Sequence, residues 1–218
     1  YLDPRADRRL LTIEEIAAEN LARLENAGAG PVDAVAGYSF GGLVAYEMAR
    51  LMAGRGITPA LVLFDTAAEG EQFRGEVSPA RSFPRSRRVW RRLRFYAHRM
   101  LYRGLARNGI ALSATRFNPA AMANIDASDR YTPLPYNGGM LLVRATAEPP
   151  VPDVDPETMG WGKLVRGPLT VRDVAASHLD LFKPPHAAAV AAMTAEYLRQ
   201  WHSNSRELSQ GASKYAVP

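Results

Sequence analysis

The sequence predicts an α/β domain built on a mostly parallel, doubly wound sheet, and three observations carry that expectation. Short apolar runs at residues 32–36, 59–64, 140–143 and 169–171 alternate with longer stretches of helical period. The run Pro59-Ala60-Leu61-Val62-Leu63-Phe64 is continuously apolar, as a strand must be when both faces of a parallel sheet are covered. A glycine-rich turn, Gly37-Tyr38-Ser39-Phe40-Gly41-Gly42, joins a strand directly to an amphipathic helix.

Taken in order, Thr12-Ile13-Glu14-Glu15 is a capping box, in which Thr12 bonds the backbone N–H of Glu15 and Glu15 reaches back. Ile13, Ile16, Ala17, Leu21 and Leu24 form the apolar stripe of the helix it opens, and Gly28 ends it. A strand at 32–36 leads into the turn, and a helix follows from Leu43 to near Gly54 or Gly56. The strand at 59–64 ends in Asp65-Thr66. From Glu69 to about Asn124 the composition changes to Arg-rich and helical in period, with Val89, Leu93, Tyr96, Ala97, Met100 and Leu101 on one face. This is expected to be a helical insertion, about 69–124, in a single domain spanning 1–218. Strand character returns at 140–143 and 169–171, followed by the loop Ala175-Ala176-Ser177-His178 and a helix from about Pro185 to Trp201. Residues after His202 are polar and expected to be loose.

Composition narrows the function. A chain of 218 residues, 47% hydrophobic, buries one good core. The absence of cysteine excludes disulfides, a thiol nucleophile and thiolate metal sites, and is compatible with the cytoplasmic location expected here. No stretch approaches the roughly 18 apolar residues of a membrane span, and no signal peptide opens the sequence, so a soluble chain without a membrane partner is expected. The net charge of +5 is local: residues 77–125 hold eleven of the 27 basic residues and none of the 22 acidic ones. That leaves the body net acidic, and without stacking or motif signals no nucleic-acid partner is expected. No two of the four histidines share ligand spacing on a helix, which argues against a metal hydrolase.

The pentapeptide Gly37-Tyr38-Ser39-Phe40-Gly41, at a strand-to-helix junction, resembles the nucleophile elbow of α/β-hydrolases. Gly37 and Gly41 are expected to allow close backbone approach and present the Ser39 hydroxyl outward. A serine hydroxyl is a poor nucleophile at neutral pH and requires a base, itself oriented by a carboxylate. Among His98, His178, His186 and His202, only His178 follows a strand in a short polar loop from which it can face the sheet's carboxyl edge. The chain order Ser, Asp, His also fits it. Two positions compete for the acid: Asp65, directly after the buried strand at 59–64, and Asp153 or Asp155, after the strand at 140–143. Spacing alone leaves both open.

Further segments recur in one order with the elbow: Leu61-Val62-Leu63-Phe64-Asp65-Thr66, Tyr131-Thr132-Pro133-Leu134-Pro135-Tyr136-Asn137-Gly138, Gly160-Trp161 and Ser177-His178. Together, over most of residues 10–200, they resemble the carboxy-terminal, chain-releasing thioesterase domains of modular polyketide and nonribosomal peptide synthetases. The resemblance implies Ser39 as nucleophile, His178 as base, Asp65 as acid, the Phe40 N–H as half of an oxyanion hole and Tyr38 as a substrate-binding residue. It implies an acyl or peptidyl carrier protein as partner, presenting the substrate on phosphopantetheine, with no cofactor of the enzyme's own. Release is then by hydrolysis or macrocyclisation. Related editing thioesterases keep the acid later, near Asp153 or Asp155, and more often carry His before the serine. A non-catalytic module that binds an acyl chain or a carrier protein is the reading from another class.

The family has further strands, and the loop with the second oxyanion donor, ahead of the first helix. Only nine residues precede Leu10 here, so the amino-terminal part is expected to be missing from this stretch. The insertion falls where the family carries a helical lid. Its Arg85, Arg87, Arg88, Arg91, Arg92, Arg94, Arg99 and Arg103 form a solvated charged face, a docking surface for an acidic carrier protein or a site that attracts an acidic substrate.

Overall fold

The computed structural model describes residues 11–68, 100, 104, 119–149 and 154–214. Of the Arg-rich stretch at about 69–124 only residues 100, 104 and 119–124 are among them, and Asp153 lies outside them. Helix α1 (Ile13–Asn26) opens with both halves of the capping box: Glu15 N–H donates to Thr12 Oγ1 at 3.2 Å, and Thr12 N–H to Glu15 Oε2 at 2.9 Å. Strand β1 (Ala34–Tyr38), helix α2 (Phe40–Ala53) and strand β2 (Ala60–Phe64) follow. Further along the sequence come α3 (Pro119–Arg130), β3 (Met140–Ala145), β4 (Leu169–Val174) and α4 (His186–Lys214), with short 3-10 turns at Trp161–Lys163 and His178–Asp180.

The four strands are parallel and lie in the order β1-β2-β3-β4. Val35, Leu61, Met140 and Leu169 stand in register across the sheet, and so do Tyr38, Phe64, Val143 and Arg172. Side chains alternate faces along each strand, so these rows feed two cores. Val35, Leu61, Leu63, Met140 and Leu142 pack with α1, α2 and Ala127 of α3 on one face. Val62, Phe64, Leu141, Val143 and Val174 pack on the other with Leu181 and Val190. Right-handed crossovers that advance across the sheet in one direction put their helices on one face, leaving α4 to cover the second. Every residue of β2 is therefore buried, as its unbroken apolar run requires.

Three elements differ from the sequence-based expectation. Strand β1 runs two residues further, through Gly37 and Tyr38, so the turn is tighter than the apolar run at 32–36 suggests. Helix α3 crosses the expected insertion boundary at 124 as one continuous element. Its pattern is masked because Asp126 and Ser128 are buried beside Ile125 and Ala127. Each has a local partner: Asp126 pairs with Arg130 at 3.1 Å, and the Ser128 hydroxyl donates to the Asn124 carbonyl at 2.9 Å. Helix α4 continues to Lys214, so the residues after His202 expected to be loose are helical up to there. Among the described residues no helix is long and apolar enough to cross a membrane.

A buried charge ties α2 to the end of α3. Glu47, 1% exposed, accepts two hydrogen bonds from the Arg50 guanidinium, at 2.8 and 2.5 Å, and one from the Tyr131 hydroxyl at 3.0 Å. The hydrogen bond to Glu47 raises the Arg50 pKa, while burial, reinforced by Glu47, raises that of the Tyr131 hydroxyl. Glu47→Ala strands both partners and is expected to cost about 3 kcal/mol, read as a lower midpoint in urea denaturation.

Candidate active site

Because the sheet is parallel, all four strands end on one edge, and the chemistry-bearing residues predicted from the sequence collect there. Ser39 follows Tyr38 and adopts φ 54°, ψ −126°, a conformation that costs energy for any residue but glycine. The surrounding bonds hold it: its N–H donates to the Phe64 carbonyl at 3.1 Å, and its carbonyl accepts from Gly42 N–H at 2.9 Å and the Thr66 hydroxyl at 3.2 Å. Serine at a helix N-cap ordinarily bonds the first turn with its side chain. Ser39 occupies that position on α2 without a capping side-chain bond, so helix capping does not account for the serine.

The glycines act differently from expectation. A Cβ on Gly37 would collide with the backbone of Gly41 and Gly42, as the elbow requires. A Cβ on Gly42 would strike the Thr66 side chain, whereas one on Gly41 meets nothing within 4 Å. The close approach therefore depends on Gly37 and Gly42, with Gly41 contributing only its backbone.

Asp65 follows β2 directly and takes a left-handed φ of 45°, which aspartate tolerates better than most residues. Its N–H donates to the Val143 carbonyl at 2.7 Å, and its Oδ1 accepts from Ala145 N–H at 3.0 Å. Its Oδ2 lies 2.6 Å from His178 Nδ1. The carboxylate is thus fixed by a neighbouring strand and aimed at the imidazole, which orients that ring with Nε2 directed away from the acid.

His178 sits on the 3-10 turn after β4, with Ser177 at its N-cap position. The Ser177 hydroxyl donates to Asp180 at 2.6 Å and the Lys183 ammonium reaches the same carboxylate at 2.9 Å. The Ser177 hydrogen bond and the Lys183 contact hold the Asp180 carboxyl below the usual carboxylate range. Tyr38 stacks on the His178 ring, with centroids 4.6 Å apart and planes at 24°, and its hydroxyl donates to the His178 carbonyl at 2.7 Å. Phe182 meets Tyr38 edge-on at 5.3 Å and Phe64 at 5.1 Å.

Asp155 and two of the other histidines make separate contacts. Asp155 accepts from the N–H groups of Glu157 and Thr158, each at 3.1 Å, and from the Thr158 hydroxyl, which together lower its pKa. It closes an exposed turn. His186 begins α4, and His202 Nδ1 bonds the Leu198 carbonyl at 2.7 Å, far along that helix. Phe40 is the first residue of α2, which puts its N–H beside Ser39 at the helix's positive end.

Two supporting residues had no assigned role in the sequence reading. Thr66 bonds the carbonyls of both Ser39 and Phe64, and Trp161 Nε1 donates to the Thr66 carbonyl at 2.7 Å. Trp161 in turn packs on Tyr46 of α2 at 4.4 Å, and the Tyr46 hydroxyl donates to the Leu134 carbonyl at 2.7 Å. The motifs around 131–138 and 160–161 are thus the backing of the elbow helix.

A model of the thioesterase domain family matches residues 3–198. The chain belongs to the thioesterase domain family. No curated protein sequence matches it. Solved structures share its fold at low identity. The NocB thioesterase domain from the nocardicin cluster is 22% identical, over 89% of this chain and 77% of that one, with a TM-score of 0.56. The type II thioesterase BorB from the borrelidin biosynthetic cluster is also 22% identical, over 90% and 77%, at 0.56. A four-domain nonribosomal peptide synthetase bound to AMP and glycine is 22% identical and covers 98% of this chain, which spans 17% of that chain, at 0.55. These likenesses give the thioesterase domain the α/β-hydrolase fold. At the carboxyl end of β3 lies a cavity of about 230 Å³ lined by Ala67, Arg144, Ala145, Thr146, Glu148, Val154, Asp155, Pro156 and Met159. Among the described residues no three His, Asp or Glu side chains are grouped to hold a metal ion.

Proposed function

We propose that this thioesterase domain releases a polyketide or peptidyl acyl chain from the phosphopantetheine thiol of a carrier protein, through an acyl ester on Ser39. The observation that carries this reading is the 2.6 Å contact of Asp65 with His178, beside an elbow that strains Ser39. In the first half-reaction Ser39 Oγ attacks the thioester carbonyl carbon while His178 Nε2 takes the hydroxyl proton. Asp65 stabilises the imidazolium through Nδ1–H. The C–S bond then breaks, and the imidazolium returns the proton to the departing thiol. The negative oxygen of the tetrahedral intermediate is met by the Phe40 N–H, a donor worth about 3–4 kcal/mol of barrier in comparable sites. In the second half, water or a hydroxyl or amine of the chain attacks the ester, giving a free acid, a macrolactone or a lactam. The chemistry needs no cofactor, since the pantetheine arm arrives with the substrate.

Asp65 as the acid supports the chain-releasing type over the editing type, in which the acid comes later; Asp155 is committed to its own turn. The fold alone does not separate these types, because NocB and BorB resemble the chain equally. The test is thiol release from an acyl-pantetheine thioester and from an acyl-loaded carrier protein. Ser39→Ala is expected to lose at least about a thousandfold in kcat. Undiminished release by folded Ser39→Ala would contradict the proposal.

A further inference from the structure

We propose that Tyr38 is a positioning residue for the His178 imidazole, a role that rests on Ser39, Asp65 and His178 being the acyl-transfer machinery. A general base must be held against displacement along, and rotation about, the bonds that fix it. The hydrogen bond between Asp65 Oδ2 and Nδ1 fixes one edge of the ring and does not by itself oppose a swing of its plane. Tyr38 blocks the swing, because its ring lies against the imidazole face at 4.6 Å and 24°. The same side chain also secures the backbone from which the imidazole hangs, through the hydroxyl's 2.7 Å bond to the His178 carbonyl.

Tyr38 is itself fixed by the fold. It is the last residue of β1, in register with Phe64, and immediately precedes Ser39. Phe182 abuts Tyr38 and Phe64 edge-on, closing the aromatic packing from the loop that carries the histidine. One residue therefore couples the frame of the nucleophile to that of the base. The family resemblance implies a substrate-binding role for Tyr38. Here the hydroxyl proton is donated to the protein's own backbone, so its contribution to rate comes through His178.

The test compares Tyr38→Phe and Tyr38→Leu with the parent in three measurements: steady-state kinetics with an acyl-pantetheine thioester, the rate of Ser39 labelling by a small alkyl fluorophosphonate, and the low-field proton resonance of the His178–Asp65 bond. Fluorophosphonate labelling reads activation of the serine with little demand on acyl-chain binding. Tyr38→Leu is expected to lose about a hundredfold in both kcat and labelling rate, with KM changed by no more than about twofold and the resonance broadened. Tyr38→Phe keeps the ring and is expected to lose about fivefold in both rates. If Tyr38→Leu does not fold, Tyr38→Phe decides the matter by the same kinetics. A rise in KM with parental labelling makes Tyr38 a substrate contact and overturns the proposal, as do parental rates in both variants. Turnover by Ser39→Ala is a separate result, overturning the reading of the site itself.

Discussion

Asp65→Asn is expected to lower kcat by about four orders of magnitude while the protein keeps its fold. An asparagine has the same shape, and its amide oxygen still accepts from Ala145 N–H as Oδ1 does now. The amide NH₂ would then face His178 Nδ1 in place of Oδ2, and it can only donate. The imidazole would have to turn Nδ1 into an acceptor and carry its proton on Nε2, where the base must be empty. The comparison variant is Asp155→Asn, expected to stay within about twofold because that carboxylate only caps the turn to Thr158. Stopped thiol-release assays on both, with circular dichroism as the fold control, check the pair. A crippled Asp155→Asn beside an active Asp65→Asn would move the acid to the later position and favour an editing enzyme.

Gly37→Ala carries the second largest effect. The new methyl would point into the Gly41 and Gly42 backbone at the first turn of α2, and backbone cannot yield as the tip of a side chain can. Both sides of the clash are pinned, Ser39 N–H to β2 and the Ser39 carbonyl to Gly42 and Thr66. The expected cost is about 3 kcal/mol, a fall in Tm of roughly 6–12 °C, together with loss of acyl transfer as Ser39 moves. Gly41→Ala is the matched control. Its methyl enters open space on a helical residue, so Tm is expected to hold or to rise by a degree or two. Differential scanning calorimetry of the two variants separates a steric requirement at Gly37 from a general dependence on glycine-rich sequence.

What could be read from the residues divides along physical lines. The capping box, the wholly buried strand β2 and the elbow are local patterns, in which spacing alone dictates geometry. His178 was also singled out, because the family order of motifs and the strand-then-loop pattern converge on it. For the acid, spacing left Asp65 open against Asp153 or Asp155 and only the family resemblance favoured Asp65, since strand-end aspartates look alike until three-dimensional register puts Asp65 Oδ2 against the imidazole. Which glycine is sterically required was equally hidden: Gly42 depends on Thr66, 24 positions away in sequence. Helix α3 was obscured because its buried face includes Asp126 and Ser128, whose polarity is compensated by neighbours within the helix. Tyr38 shows the same limit, as its partner lies 140 residues on.

The most direct test of the account is the intact mass of the protein after mixing with a medium-chain acyl-pantetheine thioester, followed over time beside Ser39→Ala. An increase equal to one acyl group is expected on the parent protein alone, mapping to the peptide that contains Ser39 and decaying as free acid or cyclic product appears. No adduct and no thiol release from folded protein, across several acyl donors, would contradict it and leave a thioesterase-like module that binds without catalysing.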